Sequence, residues 1–359
     1  MLTPPPPFDS TTTWARALGV SDAAVALWSA SAPFDLHNDL YVPARLVGYD
    51  VHRWHRPRLP FGAFFGHSDL PRLRAARMGA VTLDVATNPA RRAARRAAVT
   101  LRNLERIQAD LARHPADLAL VSTASQARAA QAEGKLACFL GIQGGQAFQH
   151  DREALDRIPD IIHRITLVHL TNSGIGSTSS PLGPDRGGLT ARGLELLEVM
   201  DARRILIDLA HINHAGFMHA VEVHARLPGR WPLVVTHTGV SAVQPHWRNV
   251  DDVQLRAVAA TGGVVGIMLH TGFLAGRTLP RCGPEVVVRH LEHVLNVCGE
   301  AAGALGTDYD GMVVPPLGLT EVTALPRLVQ AMLDRDWPEA RVMAVLGGNA
   351  MRLVEAIRP

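Results

Sequence analysis

The stretch Phe34-Asp35-Leu36-His37-Asn38-Asp39-Leu40 decides how the rest of the chain is read. A short apolar run ends in an imidazole and a carboxylate two positions apart. Alternate positions on a strand point the same way, so His37 and Asp39 leave the chain side by side. They stand just before a loop, where a strand of an α/β barrel ends and a metal or substrate is met. Taken alone, a His-x-Asp pair fits a salt-bridged strand end as well as a pair of ligands. Its meaning depends on what the other strand ends bring.

Working outward, apolar runs bounded by turn residues predict strands at 33–37, 80–86, 136–143, 165–169, 205–211, 233–237, 264–268 and 304–308. Between them, helical patterns span 190–202, 213–225, 251–260 and 284–298, and 89–114 reads as one long helix with Arg and Glu on its exposed side. Strands alternating with helices in this way predict a (β/α)8 TIM-like barrel, followed over 321–359 by two or three closing helices. Continuous apolar runs such as Leu233-Val234-Val235 suit a parallel sheet buried on both faces. A doubly wound open sheet is the competing fold. It calls for a Gly-rich phosphate turn after an early strand, and the first strand here ends in His-Asn-Asp instead. With no repeat and no linker, the chain divides into an N-terminal extension with a proline-rich start (1–30) and a single barrel domain with its C-terminal helices (31–359).

Composition narrows the class. Apolar residues make up 47% of 359, enough for a large core, and charged residues 19%. No run of eighteen apolar residues exists, so no membrane span is expected. A net charge of +3 and an arginine cluster at Arg91, Arg92, Arg95 and Arg96 on a solvated helix face do not make a nucleic-acid surface. Cys138, Cys282 and Cys298 lack zinc-finger or redox spacing and read as reduced, mostly buried thiols. The termini show neither a signal peptide nor an anchor signal, and a cytoplasmic location is expected.

Placed on the barrel frame, polar residues collect at one end. Besides His37 and Asp39, Gln143 ends the third strand, His169 the fourth, His211 the fifth, His237 the sixth and Asp308 the eighth. Barrel active sites form at this carboxyl face from several strands. Imidazole and carboxylate donors without thiolate suit zinc or a neighbouring divalent ion. Such an ion makes hydroxide near neutral pH and polarises a carbonyl, which points to hydrolysis of an amide or related bond.

Over residues 30 to 357 the chain resembles the membrane (renal) dipeptidase family, the M19 metallopeptidases of the amidohydrolase superfamily. The blocks that carry the resemblance are Asp35-Leu36-His37-Asn38-Asp39-Leu40, Gly141-Ile142-Gln143-Gly144-Gly145, Thr166-Leu167-Val168-His169, Asp208-Leu209-Ala210-His211 and Thr236-His237-Thr238, followed by Arg248-Asn249-Val250-Asp251-Asp252, Gly306-Thr307-Asp308-Tyr309-Asp310-Gly311 and Gly348-Asn349-Ala350-Met351-Arg352. The resemblance implies a homodimer acting on dipeptides. It also implies two zinc ions, one held by His37 and Asp39 and the other by His211 and His237. It further gives His169 the oxyanion, Arg248 the substrate carboxylate and Asp308 the acid/base role.

Two positions depart from the family pattern. The residue matching the glutamate that bridges both metals is Gln143, and Gln146 stands where many relatives carry histidine. A neutral amide offers one carbonyl oxygen and an NH2 group that does not coordinate in its usual state. Losing a negative charge between two dications also removes the screening that lets them sit close. Weaker metal binding with loss of one ion is therefore expected, against a site in which water or hydroxide alone bridges two. Two further readings stay open. A mononuclear amidohydrolase would use His37, Asp39, His211 and Asp308 on a non-peptide substrate, with His237 or His169 as base. A lapsed site would bind a peptide-like ligand without turnover.

Other residues are read more plainly. His290 and His293, three apart on a helix, are taken as a solvated face. The loop 172–188 is placed beside the site as a pocket wall or a connection. His52, His55 and His67 belong to a long first loop that could lean over the site.

Overall fold

The computed structural model describes residues 8–55, 64–150, 153–181, 183–276 and 282–359. The proline-rich start at 1–7 lies outside them. The described strands are β1 (Phe34–Asn38), β2 (Ala80–Ala86), β3 (Leu118–Leu120), β4 (Leu136–Gln143), β5 (Ile162–Thr166), β6 (Leu206–Asp208), β7 (Val234–Thr238), β8 (Val264–Ile267) and β9 (Gly303–Leu305).

All pairings between these strands are parallel, in the order β2-β1-β9-β8-β7-β6-β5-β4. The ring closes where β2 runs beside β4 from Ala80↔Ala137 to Ala86↔Gln143. This is the closed eight-stranded barrel that the apolar runs predict. β3, which the sequence reading lacked, pairs with the first residues of β4 and lies outside the closed ring.

Strand burial explains why the runs were readable. β4 is buried at all eight positions, and β1, β5 and β7 throughout, as a sheet covered on both faces requires. At the amino-terminal ends of the strands, Phe34, Ala80, Phe139, Val234 and Val264 cluster with Leu353, Val354 and Ile357 of the helix Asn349–Ile357. The Phe34 and Phe139 rings stack at 5.2 Å between centroids. The floor of the barrel is thus solid, and only its carboxyl face is left for chemistry.

The outer helices start at side-chain caps. Thr190, Asn213 and Asp251 each accept a backbone N–H of the first turn, and Asp251 and Gln254 form a reciprocal capping box. The helix in the 89–114 segment is shorter than read, Ala93–Leu111. Residues 11–30 also fold, as helices Thr11–Leu18 and Asp22–Ala30. Trp14 Nε1 donates to the Thr323 carbonyl and Trp28 Nε1 to that of Ala76, both indoles fully buried. Among the described residues no helix is long and apolar enough to cross a membrane.

Candidate metal centre

The strand ends bring the expected residues together. His37 Nε2 lies 3.5 Å from Asp308 Oδ1 and 3.9 Å from Asp39 Oδ2. His211 Nε2 and His237 Nε2 stand 2.9 Å apart. Between the two halves sits Gln143, its Nε2 3.1 Å from His37 Nε2 and 3.4 Å from His211 Nε2. The His37 and His237 rings stack at 3.8 Å. All six side chains come to one buried point where β1, β4 and β7 end and the turns after β6 and β9 begin.

Backbone conformation aims several of them. His211 has φ 66° and Asp308 φ 58°, with Leu170, Asp310 and Met312 also left-handed around the rim. Such conformations cost a non-glycine residue of order 1–3 kcal/mol and persist where surrounding structure holds them. Gly311 keeps the turn close, since a Cβ there would meet the Asp308 and Asp39 carboxylates.

His169 is not on the strand end expected for it. β5 spans Ile162–Thr166, and Leu167 N makes a last bond to the Asp208 carbonyl. His169 therefore sits on the following turn, buried, with its ring edge-on to His211 at 4.8 Å. Gln146 Nε2 donates to its backbone oxygen at 3.2 Å. Arg248, on the loop after β7, is buried and donates from Nη2 to the His237 carbonyl at 2.8 Å, while its Nε has no partner. The loop after β5 contributes Thr171, Thr178 and Ser180 to the cavity wall, which settles its role as a pocket wall.

A layer beneath the site was not anticipated from sequence. Asp84 of β2 accepts from His37 Nδ1 at 2.8 Å and pairs with the Arg164 guanidinium of β5. Arg164 Nη1 reaches Asp208 at 3.2 Å, and Asp208 also accepts from the hydroxyls of Thr166 and Thr236. Gly141 leaves the room this network occupies, since a Cβ there would collide with Asp84 and Arg164. A carboxylate on Nδ1 fixes the histidine so that Nε2 faces the cavity, the usual support for a metal-binding imidazole.

Burial and charge set the protonation states. Burial pushes His37 toward neutrality, but Asp84, Asp308 and Asp39 outweigh it and raise it to about 10. Burial raises Asp39 to about 7, against the pull of His37. Burial, with His37 and Arg248 nearby, lowers His169 to about 3 and holds His211 and His237 well below the usual imidazole range. Without a metal, the cation of the cluster is the His37 imidazolium.

The donors fit a divalent ion. His37, His237 and Asp308 can each offer an atom within 4.8 Å of the others. Nitrogens that share one ion at about 2 Å lie about 3 Å apart, close to the His211–His237 separation. Among the described residues, Asp39 Oδ1 and Gln143 Oε1 are buried without a hydrogen-bond partner, at a cost of about 1–3 kcal/mol each. A cation among them removes that cost. A half-turn of the Gln143 amide presents Oε1 to the cluster, where it matches either a protonated His37 or a metal.

Other sequence readings change. His290 is not on a solvated face: it is fully buried, accepting from Val240 N at 2.9 Å and reaching the Leu274 carbonyl at 3.0 Å. Burial lowers it to about 4, so it is a neutral core histidine joining its helix to the loop after β7 and to the short helix Thr271–Ala275. His293 is half-exposed and contacts Asp252 at 2.7 Å. His52 meets His114, His55 stacks on Tyr49, and His67 is buried near Asp310. None of the three lines the cavity. Cys138 is buried and the other two cysteines are half-buried. Arg91 is not only solvated helix face, because it precedes the helix and lines the cavity.

Comparison with known proteins agrees with the geometry. The family model for membrane dipeptidase (peptidase family M19) matches residues 21–358. A metallo peptidase from Rhodobacter sphaeroides, solved with a phosphinate mimic of the dipeptide L-Ala-D-Ala, is 26% identical. That match covers 90% of this chain and 99% of the other, with a TM-score of 0.80. A dipeptidase described as a metallo peptidase of family M19 is 27% identical over 90% and 98% of the two chains, also at 0.80. A probable dipeptidase, PvdM from Pseudomonas aeruginosa, is 15% identical over 96% and 99%, with a TM-score of 0.81, and shares the fold.

Proposed function

Because the chain belongs to the membrane dipeptidase family, peptidase family M19, we propose that this hydrolase cleaves dipeptides with zinc at the carboxyl face of its barrel. The observation that carries the reading is the gathering of His37, Asp39, Gln143, His211, His237 and Asp308 into one buried cluster. The dipeptide mimic held by the Rhodobacter relative supports the substrate class.

His37, Asp39, His211 and His237 would hold the metal, with the Gln143 carbonyl as a neutral neighbour. When bound, zinc supplies a Lewis acid and makes water acidic enough to attack near neutral pH. Arg248 anchors the substrate's terminal carboxylate, for which a guanidinium offers paired donors. Asp308 takes a proton from the attacking water as its oxygen bonds to the peptide carbonyl carbon. His169, kept neutral by burial, donates a hydrogen bond to the oxygen that gains negative charge. Asp308 then returns the proton to the amine nitrogen as the C–N bond breaks. The products are two amino acids.

Gln143 sets the metal content. With no anionic bridge, two dications repel across a few ångströms, so one ion per chain is held tightly and a second weakly. This neutral bridge is also what favours a second reading, a one-metal amidohydrolase acting on a non-peptide substrate. Purified protein with added zinc, assayed against a dipeptide panel for released amino acid, separates the two. Turnover of simple dipeptides is expected. Its absence across the panel sinks the dipeptidase reading.

A further inference from the structure

The cavity over the candidate site has a volume of about 1400 Å³, above the roughly 300–1,000 Å³ of ordinary small-molecule pockets. Two small residues do not fill it. Arg248 stands on the loop after β7, and in the ring β7 lies four places from β2, directly across the barrel. The wall on that opposite side, built by the segments after β1 and β2 and by the helix Ala93–Leu111, carries Arg45, Arg91, Arg102 and Arg106.

Arg91, Arg102 and Arg106 form no ion pair among the described residues. Arg102 and Arg106 are exposed, stand one helical turn apart on one face, and take part in no hydrogen bond or ion pair among the described residues. Among the described residues Arg45 gives hydrogen bonds to the carbonyls of Tyr41 and Ala86. It also feels the Asp39 carboxylate of the donor cluster and the charge of Arg91. The acid on this wall, Asp110, faces His52 at 3.5 Å and Arg113 at 3.7 Å. Four guanidinium groups thus border one end of a cavity whose other end holds Arg248.

From this we infer that the Arg45–Arg91–Arg102–Arg106 wall is the subsite for the amino-terminal part of the substrate, and that it selects an anionic group there, such as an aspartyl or glutamyl side chain. The inference rests on Arg248 as the carboxylate anchor. A dipeptide held there, with its peptide bond over the donor cluster, directs its first residue at the opposite rim. A side-chain carboxylate arriving there meets guanidinium donors in a partly enclosed space, and a side-chain ammonium meets repulsion.

The test compares Glu-Ala, Ala-Ala and Lys-Ala in two measurements on the full chain: kcat/KM with zinc, and equilibrium binding by calorimetry without metal. Glu-Ala is expected to exceed Lys-Ala by roughly tenfold in both at low salt, the size of one or two partly exposed charge-assisted contacts. The preference should shrink toward unity in 1 M NaCl, where the screening length falls to about 3 Å. The double variant R102E/R106E should invert the Glu-to-Lys ratio. If that variant does not fold, the wild-type ratio and its salt dependence still decide. Turnover with no preference for Glu-Ala overturns the subsite and leaves the dipeptidase reading standing. Preferential binding without turnover overturns the dipeptidase reading and leaves the subsite. Neither binding nor turnover overturns both.

Discussion

Replacing Arg164 by Met tests whether the layer beneath the site is as consequential as its geometry implies. Arg164 is fully buried and pairs with Asp84 and Asp208, which are buried too. Methionine fills much of the volume but leaves both carboxylates without their cation. Removing one partner of a buried pair costs about 3–5 kcal/mol. Asp84 keeps His37, and Asp208 keeps two threonine hydroxyls and the N–H groups of Ala210 and Thr236, so the middle of that range applies. Unfolding entropy of about 2.1 cal/mol/K per residue, over 359 residues, gives about 0.75 kcal/mol/K. A loss of about 4 kcal/mol therefore lowers Tm by about 5 °C. Scanning calorimetry of metal-free protein at pH 7 reads it. Adding Asp84→Asn to Arg164→Met should recover part of the loss by removing one stranded charge. A single variant that melts within 1 °C of wild type refutes the reasoning.

Two further predictions concern the site itself. Asp308→Asn should lower kcat by about 10²- to 10⁴-fold, the usual worth of a positioned acid/base, with metal content and KM changed far less; stopped assays over a substrate series measure the split. In metal-free protein, His37 has its folded value raised to about 10 from 6.5. Its stabilisation is therefore complete below pH 6.5 and is lost as pH rises toward 10, at about 1.4 kcal/mol per pH unit. Between pH 7 and 8.5, His169, His211 and His237, with lowered values, are neutral in both states and add nothing. Tm should fall by about 2–3 °C over that window, and His37→Gln should flatten the slope. A flat wild-type profile contradicts the assignment.

The barrel was legible because parallel strands covered on both faces must be apolar along their length, and β2, β4 and β7 read that way. Helix starts at Thr190, Asn213 and Asp251 were legible because capping oxygens stand directly before apolar periodicity. β3 is three residues long, too short for periodicity to register. His290 follows Val287 by three and Val286 by four, so the helical stripe could have placed it in the core; the attraction of an i, i+3 histidine pair hid that. Asp84 and Arg164 were missed for a different reason. A charge inside an apolar run has no local partner to explain it, and its partner lies two strands round the barrel, about eighty residues away. The grouping of polar residues at the strand ends was legible because the fold itself collects them at one face.

Gln143 is where the account is most exposed. It lies between the His37 and His211 imidazoles, where a carboxylate would join two ions and an amide does not. The direct test is zinc content by elemental analysis after equilibration with a zinc buffer, for wild type and for Gln143→Glu. The account predicts about one tightly held zinc per wild-type chain, from the repulsion between unbridged dications, and about two in the variant with a large gain in dipeptide hydrolysis. Two tightly held ions in the wild type, or no change in the variant, contradict it.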